Sequence, residues 1–174
     1  MSYEPSSENW YALFVETGKE DDVKKQMERR FEEKFRLLVP KRKLIERKGA
    51  VWSNVIRTLF PGYVLLNGDI GVEEYYQFKG MPGLIKLLRS GYDPLRIEYE
   101  EIGTISKLTY NNEIIGLSNV LMENGKVTVI DGPLQSLEGL IVSINRRKGR
   151  AKVRLGFLGE ERTVELGVSV LQPG

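Results

Sequence analysis

The sequence predicts an α+β chain: a mixed α/β sandwich module followed by a small all-β barrel. Three observations predict it. A single strong helical period stands early in the chain, flanked by strand-like runs. From about residue 122 onward only short alternating runs remain, separated by Asp-Gly-Pro, Arg-Lys-Gly and Leu-Gly-Glu. Between these regimes, residues 109–121 keep no sustained period and carry polar and glycine breaks. With 174 residues, the chain has room for two small domains. The expected division is 1–108, a linker 109–121, and 122–174.

The first module reads as follows. Asn9–Glu16 (N-W-Y-A-L-F-V-E) is aromatic and apolar enough for a buried strand. Thr17-Gly18-Lys19-Glu20 has the spacing of a capping box, in which hydroxyl and carboxylate reciprocally satisfy first-turn N–H groups. Val23, Met27, Phe31 and Phe35 recur every four residues, so one amphipathic helix is expected from Lys19 to Phe35. Leu37–Pro40 reads as a strand ended by proline. Lys41–Lys48 and Val51–Leu59 read as a hairpin turning at Lys48-Gly49. Tyr63–Leu66 is a core strand, Val72–Phe78 a short helix, Leu84–Leu88 a strand, and Ile97–Leu108 a last helix weakened by Gly103.

The second module offers five short strands: Lys126–Ile130, Leu140–Asn145, Ala151–Leu155, Thr163–Leu166 and Val168–Leu171. So many short strands in so few residues predict a barrel closed on itself, since open edges invite association.

Composition narrows the function. No apolar run reaches the roughly 18 residues of a membrane span, and Met1–Asn9 lacks the apolar stretch of a signal peptide. A cytoplasmic protein that meets no membrane is expected. Cysteine and histidine are both absent, which removes thiolate metal sites, disulfides and the usual general base. The paired acids Asp21-Asp22, Glu73-Glu74, Glu100-Glu101 and Glu160-Glu161 lie in polar stretches and read as solvated faces. No phosphate-binding glycine loop is present. No enzyme activity, cofactor or metal is expected.

Charge is distributed unevenly. Residues 1–121 hold 18 basic and 18 acidic side chains, whereas 122–174 hold 8 basic and 6 acidic. Arg146, Arg147, Lys148, Arg150, Lys152 and Arg154 fall in one stretch that contains no acid. Strand alternation puts the last three on one face. A solvated barrel face is one reading. Mutual repulsion of six cations favours the other, a nucleic-acid surface.

Two stretches carry a family resemblance. Val127–Ile141 (V-T-V-I-D-G-P-L-Q-S-L-E-G-L-I) resembles a KOW motif: strand, Asp-Gly-Pro turn, small loop, and Gly139 letting the returning backbone pass closely. Trp10–Leu13, Thr17–Glu20, Leu59–Leu65 (L-F-P-G-Y-V-L) and Pro82-Gly83-Leu84 resemble the NGN domain of the NusG family, in the same order and spacing. The resemblance spans about Asn9 to Gly174. It implies an NGN domain tethered to an SH3-like KOW barrel, in a monomeric transcription elongation factor. It also implies that the NGN domain grips the β′ clamp helices of RNA polymerase through an apolar pocket, beside DNA in the elongation complex. The matching positions here are Trp10, Tyr11, Leu59, Phe60, Pro61 and Tyr63. Most could equally be core, Trp10 above all; Phe60 and Tyr63 flank a Pro-Gly turn able to hold rings at a surface.

The chain also departs from the general NusG pattern. Leu134 and Leu137 stand where that pattern has aromatics that dock on Rho and on a ribosomal protein. Gly80-Met81 stands where it has an Asn-Thr pair linked to the non-template strand. The turn Asn145–Arg150 is basic where the pattern is mixed or acidic. These departures resemble a specialised paralog of the LoaP antiterminator type, which acts through a structured RNA hairpin. The period-2 strands favour a permanent barrel over the refolding type seen in RfaH. Two alternatives stay open: a general NusG-like factor whose KOW domain recruits Rho or the ribosome, and a ribosome-associated KOW protein. The second leaves Leu59–Tyr63 unexplained.

Overall fold

The computed structural model describes residues 9–110 and 112–172. In chain order the elements are β1 (Trp10–Val15), α1 (Glu20–Phe31), β2 (Arg36–Leu38), β3 (Lys41–Lys48), β4 (Val51–Thr58), β5 (Tyr63–Asn67), α2 (Val72–Phe78), β6 (Leu84–Leu87), β7 (Arg89–Ser90), β8 (Asp93–Pro94), α3 (Tyr99–Thr109), β9 (Ile114–Ile115), β10 (Ser118–Glu123), β11 (Lys126–Asp131), β12 (Ile141–Asn145), β13 (Arg150–Phe157) and β14 (Glu160–Leu171). The α+β class read from the sequence is the class observed.

Two compact units form, and they cut across the division expected from sequence. One holds the described residues up to Val39 together with 60–102; the other holds 40–59 with those from 103 onward. The hairpin β3–β4 thus groups with the C-terminal sheet.

In the first unit, an antiparallel sheet runs β2-β5-β1-β6. Tyr11, Leu13 and Val15 of β1, with Val64 and Leu66 of β5, pack against Val23, Met27 and Phe31 of α1 and Phe78 of α2. Because side chains alternate along a strand, Trp10, Ala12 and Phe14 fall on the opposite face, with Tyr63 and Leu65. Phe31, Phe35 and Phe78 meet edge to face, with centroids 5.2–6.1 Å apart.

Two details of α1 differ from expectation. The helix begins at Glu20 rather than Lys19, because Lys19 N–H closes a turn onto the Glu16 carbonyl at 2.9 Å. The capping box therefore does not form as expected: the Glu20 carboxylate accepts from Gly18 N–H at 2.6 Å rather than from Thr17 N–H, and Lys19, with no capping side-chain bond, holds the cap position. At the other end α1 stops at Phe31. Glu32 adopts a left-handed backbone (φ 52), a 3-10 turn follows over Glu32–Lys34, and Phe35 enters extended chain.

In the second unit, β3 pairs with β4 and, in parallel, with β9. The C-terminal sheet runs β11-β10-β14-β13-β12, with β10 and β14 parallel and the other pairs antiparallel. Five strands are present, as expected, but they are not the five read from sequence. β10 occupies part of the stretch read as linker, and Thr163–Leu166 and Val168–Leu171 are one continuous strand. Gly167 does not break that strand. A Cβ there would collide with the Lys43 carbonyl and the Leu117 side chain, so the glycine lets β14 approach the hairpin closely. Edge strands β11 and β12 are not paired with each other, so the sheet is a half-barrel rather than a closed one. Ala151, Val153, Leu155 and Phe157 alternate into its core with Val120, Val129, Leu134, Leu166 and Val168.

The close backbone pass assigned to Gly139 occurs at Gly132 instead. Gly139 faces open space, whereas Gly132 (φ 103) would put a Cβ 2.6 Å from the Ser118 Cα. Gly132→Ala is therefore expected to lower stability by about 1–3 kcal/mol, from backbone strain and steric overlap together. Gly139→Ala should stay within about 0.5 kcal/mol of the parent. Urea midpoints of the two variants check the assignment; equal midpoints would contradict it.

Candidate nucleic-acid interface

The basic stretch is displayed by the β12–β13 connection. Asn145 and Arg150 are paired residues closing the strands, and Asn145 Oδ1 accepts from Lys148 N–H at 3.0 Å, a side-chain bond to the backbone within the turn. Val168 N–H donates to the Gly149 carbonyl at 3.0 Å, tying the turn to β14. Arg146, Arg147 and Lys148 are left exposed at its tip, and none pairs with a carboxylate among the described residues.

Arg150, Lys152 and Arg154 share one face of β13, as alternation predicts. That face is not free of acid, however. Register brings Glu165 opposite Lys152, and Arg150 Nη1 lies 2.9 Å from Glu165 Oε2. Arg154 Nε lies 3.9 Å from Glu161 Oε1, and its Nη2 donates to the Gly139 carbonyl at 3.3 Å. The six cations therefore divide. Arg146, Arg147 and Lys148 have no described acid partner, Lys152 lies exposed opposite an acid, Arg154 is half exposed beside Glu161, and Arg150 is held by Glu165 of β14.

Arg150 also joins the sheet to the hairpin. Its Nη2 donates to the Ile45 carbonyl at 3.2 Å, while Arg42 Nη1 donates to the Glu165 carbonyl at 2.7 Å. Burial holds the Arg42 guanidinium below its ordinary pKa; Glu165 opposes that shift and neighbouring Arg150 adds to it. An arginine so shifted stays protonated at any working pH.

Hairpin and basic turn enclose a cleft of about 600 Å³ lined by Arg47, Trp52, Arg147, Lys148, Arg150 and Glu165 among others. Trp52 sits directly across the strands from Arg47, is 49% exposed, and has the Arg47 guanidinium 5.9 Å from its ring centroid. A second cleft of about 520 Å³ flanks the turn on the β12 side, lined by Ser143, Asn145, Arg146, Arg147 and Lys152.

The six expected polymerase contacts, Leu59 in the second unit and the other five in the first, separate by burial. Trp10, Tyr11, Leu59 and Phe60 are buried, Phe60 to 3% exposure, so the Pro-Gly turn does not hold the Phe60 ring at the surface. Pro61 is exposed and Tyr63 half-buried. Phe14, opposite Tyr63 in register, was missed by sequence reasoning; its ring lies 5.6 Å from that of Tyr63. Counting alternation outward from Trp10 was the signal that could have found it. Leu134 is 1% exposed, and Met81 is buried in the core. Neither stands where a partner would reach it. No helix among the described residues is long and apolar enough to cross a membrane.

Residues 8–106 match the family model described as transcription termination factor nusG. A Thermus thermophilus transcription termination/antitermination protein NusG is 29% identical, over 92% of this chain and 95% of its own. The Bacillus subtilis protein of that description is 30% identical, over 91% and 94%. A solved structure of Thermotoga maritima NusG, described in terms of its domain interaction, shares the fold with a TM-score of 0.57 at 24% identity, covering 91% of this chain and 93% of that one.

Proposed function

As the chain belongs to the NusG family of transcription termination/antitermination factors, which are not enzymes, we propose that it is an antiterminator of the LoaP type that holds RNA polymerase with residues 1–108 and a structured nascent RNA with residues 122–174. The observation that carries this reading is the exposed trio Arg146, Arg147 and Lys148 at the tip of the β12–β13 turn, unpaired with any described carboxylate. Three unneutralised cations on one turn favour phosphate, and arginine can also fork to a base edge or lie against an unstacked base. RNA is the natural ligand for a factor carried on an elongating polymerase, since the transcript emerges beside it. Recruitment of a protein such as Rho is less well supported, because of the two leucines at the expected docking positions Leu134 is buried and only Leu137, half-buried, is left to offer an apolar contact.

For the polymerase, Pro61 and Tyr63 are the accessible part of the expected surface, and Phe14 stands beside Tyr63. They are proposed to meet the β′ clamp helices. Phe14→Ala and Tyr63→Ala are each expected to weaken polymerase binding by about 1–3 kcal/mol, the loss typical of an aromatic anchor. Binding of the full chain to immobilised core polymerase measures this, with circular dichroism as the fold control. A folded double variant with undiminished affinity would remove the assignment.

For the RNA, Lys148→Ala in the full chain should weaken all structured RNAs about equally, and reduce the log–log salt slope by about one unit at most. An arginine reading a base edge would instead cost about 1–3 kcal/mol on one hairpin only. Titration against several hairpins at several salt concentrations separates these outcomes.

A further inference from the structure

The cleft between the hairpin and the basic turn has walls that supply two different chemistries. One wall is cationic: Arg147 and Lys148, from the turn, have no described carboxylate partner. The other presents Trp52, half exposed between Val51 and Ser53 on β4, with Arg47 across from it. Both acids of the cleft are already engaged. Glu165 is held by Arg150 at 2.9 Å, and Glu46 accepts from Arg57 at 2.8 and 3.0 Å, the hydrogen bond that holds its carboxyl below the usual range. What remains is positive charge facing a flat aromatic. Its volume of about 600 Å³ lies within the range of about 300–1,000 Å³ typical of small-ligand sites. Cations tracking a backbone beside an exposed ring are the two parts of a single-strand binding site.

We propose that this cleft holds an unpaired RNA nucleotide, its base stacked on Trp52 and its flanking phosphates taken by Arg147 and Lys148. The inference rests on the RNA-binding reading above and deepens it. The interface is two-walled, and the hairpin of the N-terminal half contributes the base-stacking wall. Arg150 is a positioning residue here, tying the turn to the hairpin through Glu165 and the Ile45 carbonyl. Such a site selects RNA with a looped-out or single-stranded nucleotide over a continuous duplex, whose bases are not free to stack.

The test uses the full chain, with oligoadenylate and a perfectly paired RNA duplex of equal length as probes, and binding followed by anisotropy. Trp52→Ala should weaken oligoadenylate binding by about 5- to 150-fold, the stacking of one base, and leave duplex binding unchanged. Trp52→Phe, which keeps a flat ring, should recover most of the loss. The variant with alanine at Arg146, Arg147 and Lys148 should lose affinity for both probes. Trp52 is surface-accessible, and matching circular dichroism would confirm that its variants fold. If Trp52→Ala binds oligoadenylate like the parent while the triple variant loses both probes, the stacking site is overturned and the RNA reading survives. If the triple variant loses neither, the RNA reading fails and the cleft proposal with it.

Discussion

Alanine at Arg146, Arg147 and Lys148 together is expected to flatten the salt dependence of RNA binding by about two to three units of log–log slope. Each phosphate neutralised releases condensed counterions, and three fewer contacts correspond to about a 20- to 40-fold smaller change in affinity over a fourfold range of salt. The trio is chosen because it is exposed and has no described carboxylate partner, whereas Arg150 and Arg154 already face Glu165 and Glu161. Fluorescence anisotropy with a hairpin RNA at several salt concentrations reads the slope directly. An unchanged slope would mean that the turn is solvated surface.

The second large effect concerns the half-barrel that carries the turn. Phe157 ends β13, is fully buried, and has the Arg162 guanidinium 5.1 Å from its ring centroid. Truncation to alanine removes its transfer energy and leaves a cavity that the sheet can only partly fill. The expected cost is about 3–5 kcal/mol, a large fraction of the stability of a small domain. Amide hydrogen exchange should show β13 and β14 losing protection while β1 and α1 keep theirs, because Phe157 lies outside the first unit's core. Uniform loss across both units would contradict that independence.

Most of the local architecture was legible because it is written in short-range signals. The aromatic run around Trp10, the four-residue period of Val23, Met27 and Phe31, and the Lys48-Gly49 turn each fix an element without reference to distant residues. What escaped the sequence depends on tertiary register. Gly167 reads as a strand break, yet it is the point where β14 passes the Lys43 carbonyl. The stretch 109–121 has no period, but β10 draws its order from hydrogen bonding to β14 and β11.

The site divides along the same line. That Arg150, Lys152 and Arg154 share a face follows from alternation alone, and so was foreseeable. That Glu165 and Glu161 face them follows from the β13–β14 pairing, which brings together residues more than ten positions apart in some cases. Local sequence therefore exaggerated the free charge by counting all six cations. In the first unit, the Pro61-Gly62 turn leaves only one of its two flanking rings, Tyr63, within reach of solvent. Phe60 is buried, and Phe14 stands beside Tyr63 because of the antiparallel register of β1 and β5.

The central claim is that one chain carries two separable surfaces, one for polymerase and one for structured RNA. The most direct measurement is co-elution of the full chain, core RNA polymerase and a hairpin RNA selected by the parent from a randomised pool. The RNA in the polymerase peak is compared with what polymerase retains without the chain. The parent should carry added RNA into that peak. The variant with alanine at Arg146, Arg147 and Lys148 should enter the peak without added RNA, and the Phe14→Ala/Tyr63→Ala variant should elute with RNA but apart from polymerase. If RNA instead displaces the parent from polymerase, or the triple variant still delivers it, the two-surface account is contradicted.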